Sequence, residues 1–341
     1  MEQFGRVLRQ QLRSRSGDVL GSPNEEDQTA GFGSSAEIGE LEVASTLREA
    51  TWRGGKANRG AVWPSVPQWS KGVYLGTRQA LLDAQSMGLG HAHWGHLLVA
   101  LLAGPDNGVR ELLDRLGWNT GAIRLPEEVD VRRDGAPFAP AVDALWLLGA
   151  LTVPSSALRA PFALLRAAAL STSRTSPVMA ALEQEAIRQA ARLGAGRVGQ
   201  AHLILATCSI DEQLQATNRR LAPRYARYHS GGRTLSKWGV RYGAAALAAG
   251  KVLELAGPID RARRWRSQRG DPAFGSDAAQ AIEGATALSR RLGHRYVSTA
   301  HLLASLLADK TGSGTILVGS LGVDVTGIAG DANAELRVGD R

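Results

Sequence analysis

Histidine, cysteine and arginine are the residues whose spacing in this 341-residue chain could do chemistry. His91, His93 and His96 lie within six positions, and imidazoles that close can share a zinc ion. No cysteine or carboxylate stands beside them to complete a tetrahedral set, so no metal is expected. Cys208 follows His202 by six residues on one expected helix. Side chains so spaced do not face each other as those three or four apart do, which argues against a thiol–imidazole pair. As the single cysteine it also excludes an intramolecular disulfide, and its neighbours Ala206, Thr207 and Ile210 mark a small core residue. The sequence contains no Gly-x-Ser-x-Gly elbow, His-Glu-x-x-His helix or dinucleotide-binding glycine fingerprint. No catalytic residue and no cofactor is expected, and we read the protein as non-enzymatic.

Arginine is a different matter. A basic stretch opens with Arg219, Arg220, Arg224, Arg227 and Arg233, and closes with Arg261, Arg263, Arg264, Arg266 and Arg269. Tyr225, Tyr228, Trp238, Tyr242 and Trp265 are interleaved with it. Guanidinium pairs with phosphate and rings stack on bases, so the mixture suits nucleic acid. It suits an acidic protein surface equally, and Arg261 to Arg269 also reads as a solvated helical face packed by Trp265. The whole chain has 40 Lys+Arg against 32 Asp+Glu, a net +8 that favours acidic partners, although a general arginine bias gives the same figure.

The elements that must position these residues are expected to be helices. Hydrophobic residues make up 44% and aromatics only 5%, with alanine and leucine abundant, a balance that suits helix over strand. His96, His202 and His301 each open an apolar run, and their flanks align without gaps. Eight residues earlier stand Gly88, Gly194 and Gly293, and sixteen earlier Ala80, Ala186 and Ala285. Twenty residues after the first and third histidines come Leu116-Gly117 and Leu321-Gly322, while the second copy offers a near match at Leu221. Each unit is a helix such as Ala278 to Leu292, a glycine that ends it in the left-handed conformation, and a second apolar helix. Ser298 or Thr299 is placed to cap that second helix, and the histidines are expected to pack and cap rather than to ligate.

Residues Leu292-Gly293-His294-Arg295-Tyr296-Val297-Ser298-Thr299-Ala300-His301-Leu302-Leu303, followed by Leu321-Gly322-Val323, carry a resemblance. They are similar to the Clp N-terminal repeat found in front of the ATPase modules of Clp-family unfoldases. Phe274 and Ser276 sit where that family's repeat opens, Trp69 and Pro177 supply one of the pair in other copies, and Phe138-Ala139-Pro140 opens an eroded fourth copy. The resemblance implies an all-α fold of tandem Clp N-terminal-type domains, pseudo-twofold pairs of repeats of about four helices each. It divides the chain into a polar, largely disordered extension over 1–67 with one short helix at Ile38 to Thr51, a first domain over 68–170, and a second over 171–341 with a basic insertion at about 222–271.

Two departures from the family bear on function. The sequence contains no Gly-x-x-x-x-Gly-Lys-Ser/Thr phosphate loop; Ala249-Gly250-Lys251-Val252 lacks both the leading glycine and the hydroxyl. The glutamate that holds phosphorylated arginine in the family is replaced by Gly95, Ala201 and Ala300. What the resemblance then implies is docking of peptides, adaptors or cyclic-peptide inhibitors, as an accessory or decoy of a Clp protease. The repeat-opening Trp69, Phe138 and Phe274, with Tyr296 and Thr299, are the expected partner surface. The alternative is nucleic-acid binding through Arg261, Arg263, Arg264, Trp265 and Arg266. No signal-like apolar segment opens the sequence, and the longest apolar stretch, Ala141 to Val153, falls short of the ~20 residues of a span, so a cytoplasmic location without membrane contact is expected.

Overall fold

The computed structural model describes residues 35–57, 69–86, 92, 94–104, 111, 115, 139–152, 175–255, 262–263 and 270–338. The chain divides into two compact units, residues 1–138 and 139–341.

In the first unit, α1 (Ser35–Ala57), α2 (Lys71–Ser86) and α3 (Trp94–Ala103) are described. Val43 and Leu47 of α1, one helical turn apart, pack with Ala80 and Leu81 of α2 and Leu97 and Ala100 of α3. A Cβ at Gly76 would lie 2.7 Å from Leu101, so glycine is what lets α2 and α3 approach so closely. Helix α1 is longer than the Ile38 to Thr51 expected, and it is anchored by the Trp69 indole, whose Nε1–H donates to the Thr51 hydroxyl at 2.8 Å. The rest of the expected extension, residues 1–34 and 58–68, lies outside the described residues.

The second unit begins with α4 (Pro140–Leu147) and continues through α5 (Pro177–Leu193), β1 (Arg197–Val198), α6 (Gln200–Ala216), α7 (Pro223–Ala226), α8 (Ser230–Lys237), α9 (Tyr242–Leu255), β2 (Ala262–Arg263) and β3 (Ala273–Gly275). Helices α10 (Ser276–Arg291), α11 (Thr299–Ala308), α12 (Ser313–Ser320) and α13 (Val325–Val338) complete it. The fold is all-α, and among the described residues the strands have two or three residues each. Two four-helix repeats stand in pseudo-twofold relation: α5, α6, α8 and α9 in one, α10, α11, α12 and α13 in the other. Helix α6 packs on α5, α9 and α12, and its counterpart α11 packs on α10, α13 and α8. Each repeat also lends its opening segment to the other. β3 pairs in parallel with β1, placing Phe274 opposite Val198, and Thr175 bridges in parallel to Val297. β2 adds antiparallel to β3, with Arg263 opposite Phe274.

The same local chemistry shapes both repeats. Gly194 and Gly293 take φ of 71° and 77° after their helices, where a side chain would be strained. The next amides, of Ala195 and His294, each donate 2.9 Å back to a carbonyl of the helix just ended. The third helices start where the second helices of the opposite repeat start: the Gly231 amide donates to the Thr299 hydroxyl at 2.9 Å, and the Ser313 hydroxyl accepts from the Ala201 amide at 3.1 Å. A Cβ at Gly231 would stand 2.5 Å from the Thr299 carbonyl oxygen, so that crossing requires glycine.

The basic stretch at 222–271 is therefore not a single insertion. Helices α8 and α9 inside it are the third and fourth helices of their repeat. Trp238-Gly239-Val240 is the counterpart of Leu321-Gly322-Val323, with φ of 78° at Gly239 and 73° at Gly322. A longer second helix and a longer link over 217–229 together place that turn 36 residues after His202 instead of 20, which a gapless comparison cannot register, and Leu221 is not the match. The unit boundary also falls at 138/139, upstream of the 170/171 division drawn from the repeats. Residues 139–152 join the second unit because the buried Ala141 amide donates to Gln213 Oε1 at 2.9 Å and Leu151 bridges Leu221. The remainder of the eroded copy, 153–174, lies outside the described residues.

Beneath α4, one repeat has an ionic core. Glu185, buried on α5, accepts from the Ser209 hydroxyl at 2.6 Å, from Gln189 Nε2 at 2.7 Å and from Arg188 Nε at 2.9 Å. The corresponding positions of the other repeat are Gly284 and Ala287. No single described helix is long and apolar enough to cross a membrane; the pair Ser313–Ser320 and Val325–Arg337 passes that test together but is bent by 116°.

Candidate functional site

The histidines that open the second helices are caps. The Gly199 amide donates to His202 Nδ1 at 2.9 Å, and the Ser298 amide to His301 Nδ1 at 3.1 Å, which satisfies a donor that a helix start otherwise leaves open. The Ser298 hydroxyl closes the other half of the box by accepting from the His301 amide. A ring that accepts through Nδ1 carries its proton on Nε2. For His202 that Nε2 is buried without a hydrogen-bond partner, and burial lowers its pKa to about 4. For His301 it donates to His294 Nδ1 at 2.9 Å, and the two rings meet edge to face with centroids 4.9 Å apart.

A cleft of about 70 Å³ opens over the His294–His301 pair, between the link that precedes α8 and the loop that joins α10 to α11. Arg227, Tyr228 and Arg233 line one side, Arg295 and Tyr296 the other, and Glu335 with Leu336 close an end. Tyr228 and Tyr296 meet edge to face at 5.5 Å. The Arg227 guanidinium lies 5.0 Å from the Tyr228 ring centre and donates to the Tyr228 hydroxyl at 2.9 Å. Arg295 lies 5.1 Å over Tyr296, and Arg224 extends the series 4.7 Å over Tyr225. Arg233 and Glu335, 3.9 Å apart and both well exposed, make only a loose pair. Three guanidiniums against one carboxylate leave the cleft with a net charge of two positive, so its chemistry favours an anion.

Of the residues expected at a partner surface, Tyr296 alone lines this cleft. Phe274 is a core residue at 2% exposure: strand pairing in β3 turns the repeat-opening aromatic inward. Thr299 is 1% exposed, its hydroxyl committed to the Gly231 amide, and Ser298 is the cap. Trp69 is 41% exposed in the first unit, with its indole N–H bonded to α1. Phe138, Arg261, Arg264, Trp265 and Arg266 lie outside the described residues, as do His91 and His93; Arg263 is placed in β2. Among the described residues no group of three or more His, Cys, Asp or Glu could hold a metal ion. Burial pushes the Cys208 thiol well above its ordinary range, which keeps it protonated. Arg227, Tyr228 and Arg233 of the cleft belong to the basic, aromatic stretch, whereas His294, Arg295 and Glu335 are not among the expected site residues. A signal for them exists: four of the five tyrosines directly follow an arginine, at Tyr225, Tyr228, Tyr242 and Tyr296.

Residues 273–341 match the Clp repeat (R) N-terminal domain family. The matched segment runs from β3 through α13, one of the two four-helix repeats. No curated protein matches the chain.

Proposed function

We propose that a chain whose residues 273–341 are a Clp repeat is a non-catalytic, cytoplasmic binding protein of the Clp system. It docks peptides, adaptors or cyclic-peptide inhibitors, either as an accessory of a Clp protease or as a decoy that sequesters its ligands. One observation carries this reading: the two repeats jointly build a polar, aromatic-lined cleft, with walls drawn from both, and one of those repeats matches the Clp repeat N-terminal domain family. Clefts of this kind, with a few convergent polar groups, are the usual seats of ligands. The test is a pull-down with the full chain from native cell extract, followed by titration with the recovered Clp components and with hydrophobic and cyclic peptides. Recovery and saturable binding are expected; absence of binding to every one of them contradicts the proposal.

A second reading, nucleic-acid binding, is favoured by the Arg–Tyr pairs alone. It requires affinity for DNA or RNA that falls steeply with salt and is lost on Arg227→Ala together with Arg295→Ala.

A further inference from the structure

We infer that the Arg227–Arg295 cleft reads carboxylates on acidic peptide segments, a specificity that rests on the binding role proposed above and narrows it. The donor set points to an acceptor-rich ligand: among the described residues that line the cleft, Arg227, Arg233 and Arg295 stand against one carboxylate, Glu335. A guanidinium presents paired N–H groups that match a carboxylate in two parallel, charge-assisted bonds. Two of the three are already steadied. Arg227 is held at Tyr228 by ring contact and by its bond to the hydroxyl, Arg295 lies over Tyr296, and the two rings brace each other at 5.5 Å. Arginines arranged before the ligand arrives lose less side-chain freedom on binding, so more of the interaction appears as affinity.

Stacking chooses the peptide over a nucleic acid. Stacking of bases needs open ring faces, whereas Tyr228 and Tyr296 are engaged with each other and with Arg227 and Arg295. Leu336, buried beside Glu335, offers the apolar contact for the residue next to the acidic one.

The test uses the full-length chain in fluorescence anisotropy at about 0.15 M salt, where the Debye length is about 8 Å and distant charges are screened. The probes are a library of heptapeptides with Asp or Glu at two positions, its Asn or Gln twin, and a single-stranded oligonucleotide of equal length. The proteins are the native chain, R227A/R295A, and R241A/K251A as a control that removes the same charge outside the cleft. The native chain and R241A/K251A are expected to prefer the acidic library at least about tenfold, and R227A/R295A to lose that preference. Equal binding of the two libraries, unchanged in R227A/R295A, overturns the carboxylate reading while leaving the binding role intact. Binding of neither library removes both. An oligonucleotide bound more tightly than the acidic library, and released by R227A/R295A, overturns the inference in favour of nucleic acid.

Discussion

The helix starts at His202 and His301 share one backbone device and differ in what lies behind it. Both rings accept the amide three residues earlier and so point a protonated Nε2 away from the helix start. Seven residues before His202 stands Ala195, and the Nε2–H ends in the core without a partner; seven before His301 stands His294, which takes the proton and lies at the cleft. The same divergence runs through the first helices, where an ionic core around Glu185 and Arg188 occupies the positions that hold the small residues Gly284 and Ala287 in the other repeat. A duplicated scaffold keeps its caps and crossings, because the backbone demands them, and changes the side chains around them. Both copies contribute a wall of the site, and only one of them keeps an ionic core.

Breaking the ionic core should have the largest effect. Glu185→Ala leaves the buried Arg188 guanidinium without this carboxylate and should lower unfolding stability by about 3–5 kcal/mol in denaturant titration. Replacing both, as Glu185→Leu with Arg188→Met, should recover most of the loss, since a packed apolar pair is often as stable as a buried ion pair. Failure of the double variant to recover would mean that the network does more than fill the core.

Acid should act through the other half of the comparison. His202 has a folded pKa of about 4 against an ordinary 6.5, so the unfolded chain takes up this proton first as pH falls. The stability this neutral ring preserves is complete above about pH 7.5, and about 3 kcal/mol of it is lost as pH falls from about 6.5 to about 4. His202→Gln keeps an acceptor for the Gly199 amide and removes the titrating group. The slope of stability against pH in this window should therefore be shallower in the variant, and identical slopes would refute the assignment.

The crossing of repeats gives a smaller and asymmetric effect. Gly231→Ala should cost about 1–3 kcal/mol, because its Cβ meets the Thr299 backbone, whereas Gly314→Ala, whose Cβ would rest 3.4 Å from Gln200, should cost less than about 1 kcal/mol. Thermal unfolding of the two variants side by side measures the difference. Smallest is Glu335→Ala: its loose, exposed pair with Arg233 should change stability by less than about 0.5 kcal/mol, while anion affinity at the cleft rises.

Much of the scaffold was legible because it rests on local rules. Gly194 and Gly293 end helices, His202 and His301 cap them, and Leu292 to Leu303 with Leu321-Gly322-Val323 lie within the segment that matches the Clp repeat. What stayed hidden depends on distance along the chain. Trp238-Gly239-Val240 escaped notice because sixteen extra residues displace it and tryptophan replaces leucine. Glu185, Arg188 and Gln189 have the spacing of a solvated helix face, and only the arrival of Gln213 and Ser209 from α6 and of Tyr242 from α9 shows them to be buried. Phe274 reads as an exposed anchor because a three-residue strand has no alternation to betray its inward side. The cleft needed the pseudo-twofold itself: Arg227 and Arg295 are 68 positions apart, and only the placement of one repeat's link beside the other's loop brings their tyrosines into contact.

The claim at the centre is that binding occurs where the two repeats diverge, at the arginine and tyrosine cleft, and not at the cap that they share. Amide hydrogen exchange of the full chain, with and without the acidic heptapeptide library, tests it most directly. Protection is predicted over 227–233 and 294–298, with Gly199 to His202 unchanged. Protection at Gly199 to His202, or ligand-bound protein with no change at either wall of the cleft, would contradict it.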